Sequence, residues 1–342
     1  MLRSLYSGIS GMKVNQTKLD VIGNNLANVS TTAFKGSRVN FSTTISQTLG
    51  SASAASDSLG GVNGKQIGLG AQISSIDKIM SQGSMQSTSR SLDVAVDGSG
   101  YFMVATGPAL TGDADAITIN NNGIGTMPAN SSVAYTRDGS FVLDNEGNLL
   151  TSKGYRVLGF AMETTDPQQN TKIDNIDDNG NVLYVESNNS TKAIDDKLVS
   201  LKIPDKVTKI DKAGNKTQVA VKSFNISSDG LITGVLETGE ITALGQIAMS
   251  SFKNEVGLTE VGNNMYEPSG SSGAAIISSG KNSANRNSSG YGDILQGYLE
   301  MSGVDMAEQF TDMIVATKAF QAAGKTITTG DEILSEIINL KR

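Results

Sequence analysis

Apolar residues recur every three or four positions at both ends of this 342-residue chain, and that rhythm is missing from the middle. At the front it runs through Leu2, Leu5, Ile9, Met12, Leu19, Ile22 and Leu26, with Gln16 filling one seam position. The spacing predicts a helix of roughly 27 residues, about 40 Å long. It breaks in "GNNLANVSTTAFKGS" (23–37), where Asn and Ser side chains compete for backbone hydrogen bonds.

At the back, Met306, Phe310, Met313, Thr317, Phe320, Gly324, Ile327, Asp331, Leu334 and Ile338 alternate spacings of four and three, and Ile314, Ile333 and Ile337 widen the stripe. Asp305 and Glu308 stand near its start and Lys341 and Arg342 at its end, as the helix dipole prefers. Periodic patterns this long predict coiled-coil-like packing. The two helices are expected to pair, which leaves one flank of each seam uncovered. Each exposed Leu or Ile forgoes roughly 1.5–3 kcal/mol of burial. Other copies of the chain complete that burial, so the seams supply the expected self-assembly residues: Leu5, Ile9, Met12, Leu19, Ile22, Leu26, Phe310, Met313, Phe320, Ile327, Leu334 and Ile338.

Between the helices the period changes to two. "SLDVAVDGSGYFMVATG" (91–107) reads strand, turn at Asp97-Gly98, strand. Residues 135–160 read as a meander with turns at Asp138-Gly139, Glu146-Gly147 and Lys153-Gly154. Residues 206–224 read as a hairpin around Ala213-Gly214-Asn215, and 223–252 as a further series of strands. Stretches 37–62 and 268–292 are rich in Ser, Gly, Ala and Asn and read as slack. The fold class is α+β: terminal helices forming one discontinuous coiled-coil-like domain, with two β-rich domains between them. The expected boundaries are 1–36 and 303–342 for the helical domain, 37–75 and 288–302 for extended connectors, 76–162 and 223–287 for a first β domain, and 163–222 for an inserted outer β domain.

Chemistry is scarce. Cys and His are both absent, which removes disulfides, thiolate metal sites and the usual general base near neutral pH. Net charge is −7 with no basic stripe, so nucleic acid is not an expected partner. No apolar run reaches the roughly 20 residues that span a bilayer. "MLRSLYSGISGMK" lacks the apolar core of a secretory signal, so the protein is expected to stay in the cytosol or leave without a cleaved signal. Gly324-Lys325-Thr326 ends like a phosphate-binding loop, but it lies inside the helical stripe and Ala319 replaces the first glycine. Asn175, Asp177, Asn179, Gly180 and Glu186 fall at positions 1, 3, 5, 6 and 12 of an EF-hand loop, a weak calcium candidate whose flanks are not helical. The bland reading is a turn at Asn179-Gly180. Ser10 with Lys13 and Ser250 with Lys253 have Ser/Lys hydrolase spacing, which a Ser-rich chain produces by chance. "GKQIGLG" (64–70) leads into a strand-like run and predicts close backbone approach or a bulge, not phosphate binding. No cofactor and no catalytic residue is expected.

Both ends resemble the flagellar axial proteins, the rod and hook family. "LYSGISGMKVNQTKLDVIGNNLANVSTTAFKGSR" is similar to their signature built on N-N-[IL]-A-N-x-x-T-x-G-[FY]-K, matched by Asn24, Asn25, Leu26, Ala27, Asn28, Thr31, Phe34 and Lys35. Ala33 stands where the family usually has Gly. The tail "LEMSGVDMAEQFTDMIVATKAFQAAGKTITTGDEIL" resembles the family's matching tail, with departures at Gly303, Ala323 and Gly324. The resemblance implies a structural subunit that polymerises with itself, exported through the flagellar type III apparatus without a cleaved signal, and placed outside the cell in the hook or basal body. It implies contacts with the distal rod, the hook cap and the hook–filament junction proteins. The stretch 163–222, which lacks family likeness, favours a hook subunit, a curved universal joint. A distal rod subunit with an inserted domain is the first alternative and a secreted β-rich adhesin the second.

Overall fold

The computed structural model describes residues 2–54, 60–108, 110, 116–120, 123–124, 127–128, 131–165, 172–174, 182–187, 191–194, 197–210, 216–278 and 292–340. Two long helices, α1 (Leu2–Ala27) and α2 (Met306–Leu340), stand at the ends of a β-rich chain. The chain gathers into two compact units, one of residues 1–81 with 302–342 and one of residues 82–301.

The first unit holds both helices and a ribbon. Strand β1 (Ser37–Thr43) pairs antiparallel with β4 (Ala71–Lys78), and β2 (Ser46–Gly50) with β3 (Lys65–Gly68). Within the stretch 37–75, expected as an extended connector, residues 37–43, 46–50, 65–68 and 71–75 are therefore extended and paired. Its β-branched and aromatic residues fall opposite each other, Phe41 against Ile73 and Val39 against Ile76. The close approach expected in 64–70 is found at Gly70, whose backbone presses on Ser10 of α1 and leaves no room for a Cβ.

In the second unit a run of antiparallel strands forms one sheet. Its order is Lys206–Ile210, Lys216–Ile226, Leu231–Leu236, Ile241–Ile247, Arg156–Phe160, Tyr101–Thr106, Ser132–Thr136, Met265–Glu267 and Thr259–Gly262. The stretch 163–222, expected as an inserted outer domain, supplies the strands at one end of this run, and all of it lies in the same compact unit. Residues 293–300, expected as connector, form two short strands paired with Val94–Asp97 and Met85–Ser87. The turns at Asp97-Gly98, Glu146-Gly147 and Lys153-Gly154 fall between strands as expected, each glycine with positive φ. Ala213-Gly214-Asn215 lies outside the described residues, although its flanking strands pair antiparallel.

The core is aliphatic and aromatic: Val94, Val96, Phe102, Val104, Phe141, Leu149, Val157 and Ile232 are buried together, with the Phe102 and Phe141 rings edge to face at 5.3 Å. A second aromatic group joins Tyr101, Tyr135, Phe252 and Tyr266. Burial pushes the hydroxyls of these three tyrosines above the ordinary range.

One buried ion pair stands at the root of this unit. Arg137 Nη1 lies 3.2 Å from Glu300 Oε2, with side chains 3% and 1% exposed. The guanidinium also donates to the Gly98 and Gly100 carbonyls, and Glu300 accepts from the Gly83 N–H at 2.8 Å. Every arm of the pair is thus used, as burial of two charges requires. Arg137→Met leaves the Glu300 carboxylate buried with one partner fewer. It is expected to lower the stability of the β unit by about 3–5 kcal/mol in denaturant unfolding, whereas Lys209→Met, which breaks an exposed pair with Glu240, is expected to cost under about 1 kcal/mol.

Candidate functional site

The terminal helices pair antiparallel within their unit. Leu5 meets Gly330, Gly8 meets Thr326 and Ile327, Gly11 meets Ala323, and Met12 meets Gly324. Further along, Lys18 Nζ lies 3.1 Å from Asp312 Oδ2, and Asn25 Nδ2 donates to Gln309 Oε1 at 3.0 Å. The approach is close because the residues are small. A Cβ on Gly8 would stand 2.7 Å from Thr326 Oγ1 and 3.1 Å from Ile327 Cγ1, and one on Gly330 would stand 2.8 Å from Leu5 Cδ2. Ridges this low let the two backbones come nearer than a Leu-on-Leu seam allows.

The contact face of α2 is rotated from the stripe the apolar spacing picks out. It passes through Gln309, Ala316, Ala323 and Gly330, each seven residues after the last. Of the twelve expected seam residues, Ile22 is buried, and Leu5, Met12, Leu19, Leu26, Met313, Ile327 and Leu334 are half-buried. Ile9, Phe310, Phe320 and Ile338 are exposed, Phe310 at 49% and Ile338 at 66%. Ile314, Ile333, Ile337 and Leu340 are exposed too. Helical periodicity located both helices but could not tell a face covered by the partner helix from a face left open. The small residues of the true seam carry almost no hydropathy signal.

The motif after α1 is a folded knot of polar contacts. Asn28 Nδ2 donates to the Asn24 carbonyl at 2.9 Å, and Asn28 Oδ1 accepts from Thr31 Oγ1, so two side chains close the helix end. Ala27 is the last helical residue. Asn25 is 1% exposed and makes three bonds to two elements: it donates to the Ser37 carbonyl of β1 at 2.7 Å, accepts from the Ser37 N–H at 2.9 Å, and bonds Gln309 of α2. Ala33 has φ +55°, the left-handed conformation that explains a glycine preference at this position. The turn it makes inserts Phe34, whose carbonyl accepts from the Gly303 N–H at 3.1 Å and whose ring lies under the Lys78 ammonium at 5.6 Å. Lys35 is buried with its ammonium 2.8 Å from the Ser81 carbonyl. Asn25 and Lys35 are the residues whose roles the sequence did not disclose, because each acts on backbone far along the chain.

No described residues assemble a reaction centre. Gly324-Lys325-Thr326 lies inside α2, and Thr326 Oγ1 donates to the Ala323 carbonyl. Ser10 Oγ donates to the Ser7 carbonyl, and Ser250 is buried against the Tyr101 carbonyl. Of the calcium candidates, Asn175, Asp177 and Asn179 lie outside the described residues, while Glu186 sits in a strand bridge opposite Thr242. Among the described residues no three acidic side chains group as metal ligands, and no helix is long and apolar enough to cross a membrane.

Two substitutions check this local reading. Ala33→Gly relieves a left-handed alanine and is expected to raise the stability of the helical unit by about 0.5–1 kcal/mol, the left-handed cost less glycine's entropy. Asn25→Ala strands the Ser37 N–H and is expected to lower it by about 2 kcal/mol. Both are read from the unfolding transition that carries the helical circular dichroism signal.

Comparison with known proteins follows this division of the chain. Residues 5–35 match the family model "Flagella basal body rod protein", residues 118–234 the model "Flagellar hook protein FlgE/F/G D1 domain", and residues 295–340 the model "Flagellar basal body rod FlgEFG protein C-terminal". The flagellar basal-body rod protein FlgG of Bacillus subtilis is 41% identical over 343 residues, covering 100% of both chains. The flagellar hook protein FlgE of Borreliella burgdorferi is 31% identical over 447 residues, and the rod protein FlgG of the same organism 31% over 344, each again covering 100% of both chains. All three are named as structural parts of the flagellum, none as an enzyme. With matched ends, a matched middle and end-to-end likeness, this chain belongs to the flagellar rod and hook protein family.

Proposed function

We propose that this chain is a self-assembling structural subunit of the flagellar rod–hook tube, with its terminal helix pair as the intersubunit core. The observation that carries the reading is the large apolar surface left on α2 after it has paired with α1. Met306, Phe310 and Ile314 stay open to solvent off its small-residue face, and Ile333, Ile337 and Ile338 on its last turns, past the Leu5–Gly330 contact. Each such side chain recovers roughly 1.5–3 kcal/mol when a neighbouring copy covers it, so burial favours a polymer over the monomer by mass action. Relatives named for the rod and the hook support the same end.

The place in the tube has two readings. The distal rod is favoured by the 41% likeness to a rod protein over the whole chain. The hook is the expectation from 163–222, but rod proteins match the chain end to end at its own length, the D1 domain model spans that stretch, and the 31% likeness to the rod and hook proteins of one organism is equal. In either place the subunit leaves the cell through the flagellar export route, as a chain with no cysteine to crosslink on the way. It meets the neighbouring rod, hook-cap or junction proteins at the tube's ends.

Sedimentation and electron microscopy of the purified chain test the proposal. Tubes are expected, and Phe310→Asp or Ile314→Asp is expected to abolish them while the β unit keeps its unfolding midpoint. Normal tubes from both variants would remove this α2 surface from the interface. Curved tubes assign the hook and straight tubes the rod.

A further inference from the structure

The helix seam repeats every seven residues, yet its middle has little that interlocks. Ala316 and Ala323 on α2 and Gly11 on α1 offer small surfaces that would fit as well after α2 slid by one heptad, whereas Gly8, one turn from Leu5, would meet Phe320 or Leu334 in place of Ile327. What distinguishes the observed register lies toward its two ends. At one, the buried Asn25 amide is held by both bonds to Ser37 and therefore cannot follow α2. Its third bond needs the Gln309 carbonyl oxygen. A slide in one direction brings Ala316, which has no acceptor, and in the other brings Ser302, which precedes the helix. At the other end Leu5 fills the space of a missing side chain at Gly330, and a slide sets Ala323 or Ile337 there instead. Lys18–Asp312 discriminates less, since Asp312 is 43% exposed and Asp305 stands one heptad away.

We infer that Asn25–Gln309 and Leu5–Gly330 are register pins, selecting one heptad-related pairing of the terminal helices while Gly11, Ala316 and Ala323 between them supply only closeness. The pins are three heptads apart on α2, about 32 Å. A lone polar pair fixing register in a repetitive seam is a known device of paired helices. Here it sets how far α2 runs past the start of α1, and one heptad of slide would move that exposed apolar end by about 10 Å. The pins concern pairing within one chain and stand whether or not the chain polymerises.

The absence of native cysteine gives a clean test. A Cβ on Gly11 lies 3.7 Å from Ala323 Cβ, inside the disulfide range. Gly11→Cys with Ala323→Cys in the full chain therefore reports the observed register, and Gly11→Cys with Ala316→Cys reports a slide of one heptad. With both pins intact only the first pair is expected to oxidise. Adding Gln309→Ala and Gly330→Ala is expected to raise the second crosslink by about tenfold, the worth of one lost buried hydrogen bond. Retention of the first crosslink alone would overturn the inference and assign the register to the backbone bond between Phe34 and Gly303. Helical content is measured on the same samples. Loss of helix with neither crosslink would show that these residues hold the pairing itself and not its register, which also overturns it.

Discussion

The architecture depends on the close antiparallel contact of α1 and α2. It joins residues near the start of the chain to residues near its end, and all loop-closure entropy of the chain between is charged against it. Small residues make that contact effective. Where Leu5 seats against Gly330 and Gly8 under Thr326 and Ile327, the helices gain dispersion contacts along the backbone and not only at side-chain tips. They also spend few large apolar residues on each other. The large ones, Phe310, Ile314, Ile333 and Ile337, remain on the outside. A chain whose two helices satisfied all their apolar surface at home would have nothing left to offer a neighbour.

The knot after α1 follows from the same contact. A helix that ends near its partner's start must hand its chain to the ribbon without opening the seam. Asn25 does so by bonding both peptide groups of Ser37 while holding Gln309 across the seam. The left-handed Ala33 then turns Phe34 and Lys35 inward, against Gly303, Lys78 and Ser81. Three segments far apart in sequence meet within this short stretch. A run of Asn, Ser and Thr that reads locally as a helix stop is thus also a set of long-range contacts in the helical unit.

Much of the fold was legible in the residues. Both helices, the glycine turns of the meander and the strands of 223–252 were placed by period and turn chemistry, signals carried by neighbours in sequence. Three things were not. The small-residue contact face of α2 did not stand out because alanine and glycine add nothing to an apolar count, while Phe310 and Phe320 of the expected self-assembly seam are exposed. The ribbon of 37–78 was missed because its strands are rich in Ser, Thr, Gln and Gly, and their partners lie up to some forty residues away. The stretch 163–222 reads as separate because it lacks family likeness, yet its strands extend a sheet whose other members lie on both sides of it, and the family's D1 domain model spans it. Sheet membership is decided by pairing, and composition does not carry it.

The buried Arg137–Glu300 pair obeys the same logic from the β side. Glu300 holds Gly83 through its N–H, while Met301 N–H donates to Ser84. The segments that enter and leave the β unit are therefore fastened to one another at a single desolvated charge pair. An aliphatic pair of equal volume would pack as well and cost less desolvation. It could not bind two carbonyls, an N–H and an opposite charge at fixed positions. At a root that carries both strands of the connection, what the charges supply is position.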